Sequence, residues 1–275
     1  MSPGFQGRAA IVTGASSGIG RAIATLLASE GTDLCLVAAP QDRDTLNDVA
    51  GQIAAGGTRT IAIASDVGEP ETADRAVGET LEAFGRLDHL SSNAGIAYFD
   101  EALAEPLEHF DHTMRVNARG MYLMVHATAR AMAEHGGGTI VCTASTASIA
   151  GEEHQVAYNV SKGAVNQLAR SFAVDLAPYG IRVNAVAPGW VRTPTTTDIL
   201  ADEPEWAKHR SHIPLDRAAE PDEIANVVTF LLGDRSSYMT GSLVVVDGGM
   251  TAGFRTSDWS ALPLPIAPRE RRTTV

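Results

Sequence analysis

The chain alternates short apolar runs with longer stretches in which apolar residues recur every three or four positions. Ala9-Ala10-Ile11-Val12 and Leu34-Cys35-Leu36-Val37 are typical of the short runs. Runs of this kind read as parallel strands covered on both faces. The pattern predicts strands near 8–13, 33–38, 59–64, 87–92, 138–144, 181–187 and 242–247, and helices near 18–30, 42–55, 70–85, 106–135, 156–178 and 221–233. Regular strand–helix alternation argues for an α/β, doubly wound sheet with helices on both sides. Pro194, Pro204 and Pro214 exclude one long helix over 194–216. That segment is expected to be a mobile lid of short helical pieces.

Two local motifs carry candidate chemistry. Thr13-Gly14-Ala15-Ser16-Ser17-Gly18-Ile19-Gly20 lies between the first strand and the first helix. A glycine-rich turn there lets a diphosphate approach the backbone, and the helix N-terminus supplies free N–H groups and a positive dipole end. The spacing is G-x-x-x-G-x-G, not the G-x-G-x-x-G of the commonest dinucleotide fingerprint. Tyr158 and Lys162 are four apart and fall on one helix face. An ammonium beside a phenol favours the phenolate, which makes the tyrosine a usable proton donor and acceptor. Ser145, thirteen residues earlier, offers a hydroxyl to the oxygen whose bonding changes.

Further motifs follow in order: Asn93-Ala94-Gly95, then Asn117, then Pro188-Gly189-Trp190-Val191-Arg192-Thr193, then Asp247-Gly248-Gly249. With these the chain, over residues 5–250, resembles the short-chain dehydrogenase/reductase superfamily in its ordinary single-domain branch. The resemblance implies a Rossmann-type sheet of seven parallel strands in the order 3-2-1-4-5-6-7, with ligands at the strands' carboxyl ends. It implies hydride transfer between a nicotinamide cofactor and a secondary alcohol or ketone. Tyr158 is then the acid/base, Ser145 orients the substrate oxygen, Lys162 tunes Tyr158 and binds ribose hydroxyls, and Asn117 holds a water beside the lysine. Gly14, Ser16, Ser17, Gly18, Ile19 and Gly20 are expected at the diphosphate and adjacent ribose, and Asp66 and Val67 at the adenine. Asn93, Ala94 and Gly95 are expected along the ribose side, and Pro188, Gly189, Val191 and Thr193 at the nicotinamide carboxamide. Ala147, His154, Trp190 and Trp206 are candidate substrate contacts. Bacterial-type enoyl reductases of the superfamily usually space the Tyr and Lys more widely. A non-catalytic cofactor sensor or scaffold and a non-redox lyase or isomerase remain the rival classes.

The choice between NAD and NADP turns on the end of the second strand, where an acidic residue meets the ribose 2′-hydroxyl and a basic one a 2′-phosphate. Ala38 and Ala39 occupy those positions, and Ser17 is neutral. A phosphate dianion without a cation is the costlier ligand to bury, so NAD is expected over NADP unless Arg43 folds back.

Composition narrows the remainder. The 275 residues suffice for one large α/β domain over 1–250, with 251–275 as a C-terminal extension, disordered or packed on a neighbouring subunit. A formal charge of −12 argues against a nucleic-acid partner. No run approaches the length of a membrane span, and the first strand begins too early for a signal peptide. Cys35 and Cys142 read as buried thiols in a reducing, cytoplasmic setting, and the strands that carry them are not neighbours in the order the resemblance implies. Glu152-Glu153-His154 is too contiguous to converge on a metal, so none is expected. A homotetramer is implied by the resemblance alone.

Overall fold

In the computed structural model, which describes residues 4–253, seven strands form one parallel sheet. They are β1 (Ala9–Thr13), β2 (Asp33–Ala38), β3 (Thr60–Ala64), β4 (His89–Ser92), β5 (Gly138–Thr143), β6 (Ile181–Pro188) and β7 (Leu243–Val246). Their order is β3-β2-β1-β4-β5-β6-β7, as the resemblance implied. The chain reverses its direction of travel across the sheet at β1, which pairs with β2 on one side and β4 on the other. A crevice forms at the carboxyl ends of strands at such a point.

The apolar runs are continuous because each strand is covered twice. Ile11, Cys35, Leu90 and Ile140 face one core, packed under α3 (Pro70–Phe84), α5 (Met121–Glu134) and α6 (Val156–Leu176). Ala10, Val12, Leu34 and Leu36 face the other, under α1 (Gly18–Ser29), α2 (Arg43–Ala55) and α9 (Pro221–Leu232). Each such Leu or Ile contributes about 1.5–3 kcal/mol over an exposed position. Cys35 and Cys142 are free and buried, on β2 and β5, with β1 and β4 between them. Burial pushes both thiols up to about 12.

The long helix expected over 106–135 is not uniform. It begins as α4 (Leu107–Thr113), widens into a π-helical stretch over Met114–Gly120, and continues as α5. A Cβ on Gly120 would lie 2.8 Å from Val67 Cγ2, so the helix passes very close to the turn after β3. Asn117 sits inside the widened stretch, fully buried. Local π geometry of this kind is common where a helix must aim a functional group. Residues 194–216 contain a 3-10 turn at Pro194–Thr196, α7 (Thr197–Ala201) and α8 (Glu203–Ser211), the short pieces that the prolines require. The expected extension beyond Gly253 lies outside the described residues. Among those described, no helix is long and apolar enough to cross a membrane.

Candidate active site

The turns at the carboxyl ends of β1, β4, β5 and β6 meet around a cavity of about 320 Å³. The glycine turn forms its floor. Gly18 has φ +51 and lies against Thr193, whose Cγ2 is 3.0 Å from where a Cβ would stand. Gly20 does not line the cavity; it lets the first turn of α1 close onto Gly14, where a Cβ would meet the Gly14 carbonyl oxygen at 2.0 Å. The Thr13 hydroxyl accepts hydrogen bonds from the backbone N–H groups of Asn93 and Ala94, each at 2.9 Å, and so ties the turn after β4 to the end of β1. Thr13 escaped the sequence reading, although a threonine closing β1 just before the glycines was its visible signal.

Ser145 follows β5 and caps a 3-10 turn, its Oγ accepting from the Ala147 N–H at 3.1 Å. Tyr158 and Lys162 come from α6. Lys162 is buried, its Nζ donating to the Thr143 carbonyl at 2.9 Å and lying 5.5 Å from the Tyr158 ring centre. Burial pushes the Tyr158 phenol up to about 12; a hydrogen bond with Ser145 opposes this and the Glu152 carboxylate adds to it. Burial likewise brings Lys162 down to about 8. The expected lowering of the tyrosine by the lysine is not found: packing around the phenol raises it instead. Asn117 Oδ1 accepts from the Ile96 N–H and its Nδ2 donates to the Ile96 carbonyl, both at 2.8 Å. The same Nδ2 donates to Ser161 Oγ at 3.0 Å.

Most of the expected cofactor residues share this wall: Gly14, Ser16, Ser17, Gly18, Ile19, Asn93, Ala94, Gly95, Pro188, Gly189, Val191 and Thr193, with Ser145, Tyr158 and Lys162. Asp66 and Val67 do not. Asp66 accepts from the Gly68 N–H at 2.8 Å and pairs with Arg115 at 2.8 Å, while Val67 is buried in the core. Several wall residues escaped the sequence reading, among them Thr143, Ala144, Thr195 and Thr196, and one of them carries a charge. Asp42, in the 3-10 turn Pro40–Asp42 after β2, faces the cavity, and Ser16 Oγ donates to its Oδ2 at 3.4 Å. An acidic residue within one turn of the end of β2 was the signal. Arg43 is exposed and does not line the cavity. The residues fit a dinucleotide: a cradle free of side chains at Gly14 and Gly18, a carboxylate at one end, and a hydroxyl–phenol–ammonium set at the other.

A smaller cavity opens off Ser145 and Tyr158, walled by Phe99, Thr146, Glu152, Gln155 and Trp190. Of the expected substrate residues only Trp190 lines it. Ala147 is buried in the turn after Ser145. His154 is exposed on a residue with φ +59, its carbonyl held by the Asp100 N–H at 2.8 Å. Trp206 packs behind Trp190, ring centres 5.8 Å apart, with Ile213 and Ala218. Among the described residues no three His, Cys, Asp or Glu side chains could share a metal ion.

Fold and site together define a nicotinamide-dinucleotide oxidoreductase. A family model described as enoyl-(acyl carrier protein) reductase matches residues 14–251. The chain is 39% identical over 247 residues to an L-rhamnose 1-dehydrogenase (NAD(P)(+)) of Sphingomonas sp., covering 90% of this chain and 97% of that one. It is 38% identical to a glucose 1-dehydrogenase of Gluconobacter oxydans, covering 94% and 97%. It superposes on the crystal structure of a short-chain type dehydrogenase/reductase from Mycobacterium marinum with a TM-score of 0.85, at 37% identity, covering 91% and 98%. The chain belongs to the short-chain dehydrogenase/reductase superfamily and is an NAD(P)-dependent oxidoreductase acting on CH–OH groups.

Proposed function

We propose that Ser145, Tyr158 and Lys162 carry the proton side of a reversible alcohol–carbonyl reaction. The observation that supports this reading is that all three line the same cavity as the glycine turn. When bound, the nicotinamide supplies or receives the hydride. The Tyr158 hydroxyl donates its proton to a carbonyl oxygen, or takes the hydroxyl proton in the oxidative direction. Ser145 hydrogen-bonds the same oxygen and holds it against the phenol. Lys162 places a cation beside the phenol and reaches the ribose hydroxyls. Asn117 has its side chain committed to Ile96 and Ser161, so a water held beside the lysine falls to its main chain. Asp66 and Val67, which do not line the cavity, would meet the adenine from beyond its wall.

NAD is the preferred cofactor on this reading. Asp42 is a ready acceptor for a ribose hydroxyl and repels a 2′-phosphate, and Lys162 is the only cation among the cavity's lining residues. The protein is proposed to act as a homotetramer in the cytoplasm. Exposed Tyr122 on α5 and Val160 and Val174 on α6 support association through those helices. Light scattering on the eluted protein tests the mass.

Tyr158→Phe tests the central assignment. Turnover should vanish while NADH binding, followed by nicotinamide fluorescence, persists. Unchanged turnover would remove Tyr158 from the acid/base role. Turnover of a substrate by the wild type with no change at the nicotinamide absorbance band would favour a lyase or isomerase.

A further inference from the structure

The wall of the smaller cavity, which also holds Ser145 and Tyr158, includes a carboxylate with a defined orientation, that of Glu152. Thr146 Oγ1 donates to Glu152 Oε1 at 2.8 Å, and Gln155 Nε2 donates to Oε2 at 3.3 Å. Asn159 Nδ2 donates to the Glu152 carbonyl at 2.8 Å, so the main chain is fixed as well. Gln155 is itself buried. Among the described residues no Lys, Arg or His pairs with Glu152. An ionised carboxylate can accept about four hydrogen bonds, and two side-chain donors reach this one. Its remaining acceptor capacity lies on the wall of a cavity that also holds the reacting hydroxyl and phenol. Phe99 and Trp190 supply apolar faces on the same wall.

We propose that Glu152 recognises a second hydroxyl of the substrate, on the carbon next to the reacting carbinol, and that the substrate class is the uncharged vicinal polyol, open-chain or cyclic. The proposal rests on the dehydrogenase reading of Ser145 and Tyr158. A neighbouring hydroxyl donates to the lone pairs that Thr146 and Gln155 leave free, while the carbon skeleton lies against Phe99 and Trp190. A monohydric alcohol displaces water from the half-buried carboxylate without supplying a donor in its place, which disfavours it against the diol. A hydroxy acid brings a like charge against Glu152 and is rejected, a selection by repulsion as well as attraction.

The test uses a matched set: trans-cyclohexane-1,2-diol, cyclohexanol and 2-hydroxycyclohexane carboxylate, with NAD. The wild type should favour the diol over cyclohexanol by about tenfold or more in kcat/KM, and should not turn over the acid. In Glu152→Gln the diol-to-cyclohexanol ratio should collapse by about tenfold to hundredfold, and the acid should gain relative to the diol. Glu152→Asp, which keeps the charge but withdraws it, should fall between and serves if the amide variant does not fold. The same ratio in wild type and variants, or a wild type that accepts the acid as readily as the diol, overturns the proposal. A second arm separates its failure from that of the catalytic reading. Calorimetric titration of Tyr158→Phe, loaded with NAD, should show diol binding that Glu152→Gln, added to it, weakens by the same factor. Diol binding that is indifferent to Glu152 overturns the recognition role, whatever becomes of turnover.

Discussion

Ser16 and Asp42, both lining the main cavity, meet at 3.4 Å, one from the turn after β1 and the other from the turn after β2. That contact sets a carboxylate where a ribose hydroxyl is expected. Asp42→Ala should weaken NADH binding by about tenfold and narrow its advantage over NADPH, since a charge-assisted hydrogen bond is lost and a repulsion relieved. Paired fluorescence titrations of both cofactors read this directly. Equal effects on both would remove Asp42 from cofactor selection.

The ionisation of Tyr158 sets a directional pH dependence. With its phenol raised to about 12, Tyr158 keeps its proton through the neutral range. Carbonyl reduction needs that proton and should be nearly flat over about pH 6 to 8. Alcohol oxidation needs the phenolate, so its kcat/KM should climb by up to about tenfold per pH unit. The climb should flatten as Lys162, brought down to about 8, loses its charge and ceases to support the phenolate. Profiles of kcat/KM in both directions check this, and an oxidation rate that falls as pH rises would contradict it.

Asn117 holds both backbone groups of Ile96. Asn117→Ala would leave the half-buried N–H and carbonyl of Ile96 without their side-chain partner, at about 1–2 kcal/mol each. Urea unfolding should show a loss of about 2–4 kcal/mol. Turnover should fall as well, because the residues after Asn93-Ala94-Gly95 line the cavity. A variant of wild-type stability would show that Ile96 finds other partners.

Acid should destabilise the fold through His89. Its ring is buried, Nδ1 lies 2.6 Å from Thr139 Oγ1, and Nε2 has no partner. Burial brings its pKa from 6.5 to about 4; Asp88 opposes the fall, while Arg8, Arg182 and Arg86 assist it. The unfolded chain binds the proton more readily than the folded one, so stability is full above pH 6.5 and drains away as pH falls toward 4. The loss should approach about 3 kcal/mol. His89→Leu should flatten the dependence of the urea midpoint on pH across that window. An unchanged slope would assign the acid sensitivity to the carboxylates instead.

By itself the sequence determined the sheet and the chemistry carried by contiguous motifs. Continuous apolar runs such as Ala9–Val12 arise because a parallel strand is buried on both faces, and that requirement is local enough to read from the chain. Tyr158 and Lys162 are legible because helical spacing fixes their common face. Only the tertiary structure decided what depends on chain segments far apart. Asp42 became a wall residue because the turn after β2 folds back toward Ser16, twenty-six positions away. Trp190 reached the smaller cavity while Trp206 went behind it, and Glu152 rather than His154 lines that cavity, because loop packing orients side chains that residue type leaves free. The Tyr158 phenol was raised, not lowered, for the same reason: desolvation is a property of everything packed around a group, and no spacing in the chain encodes it.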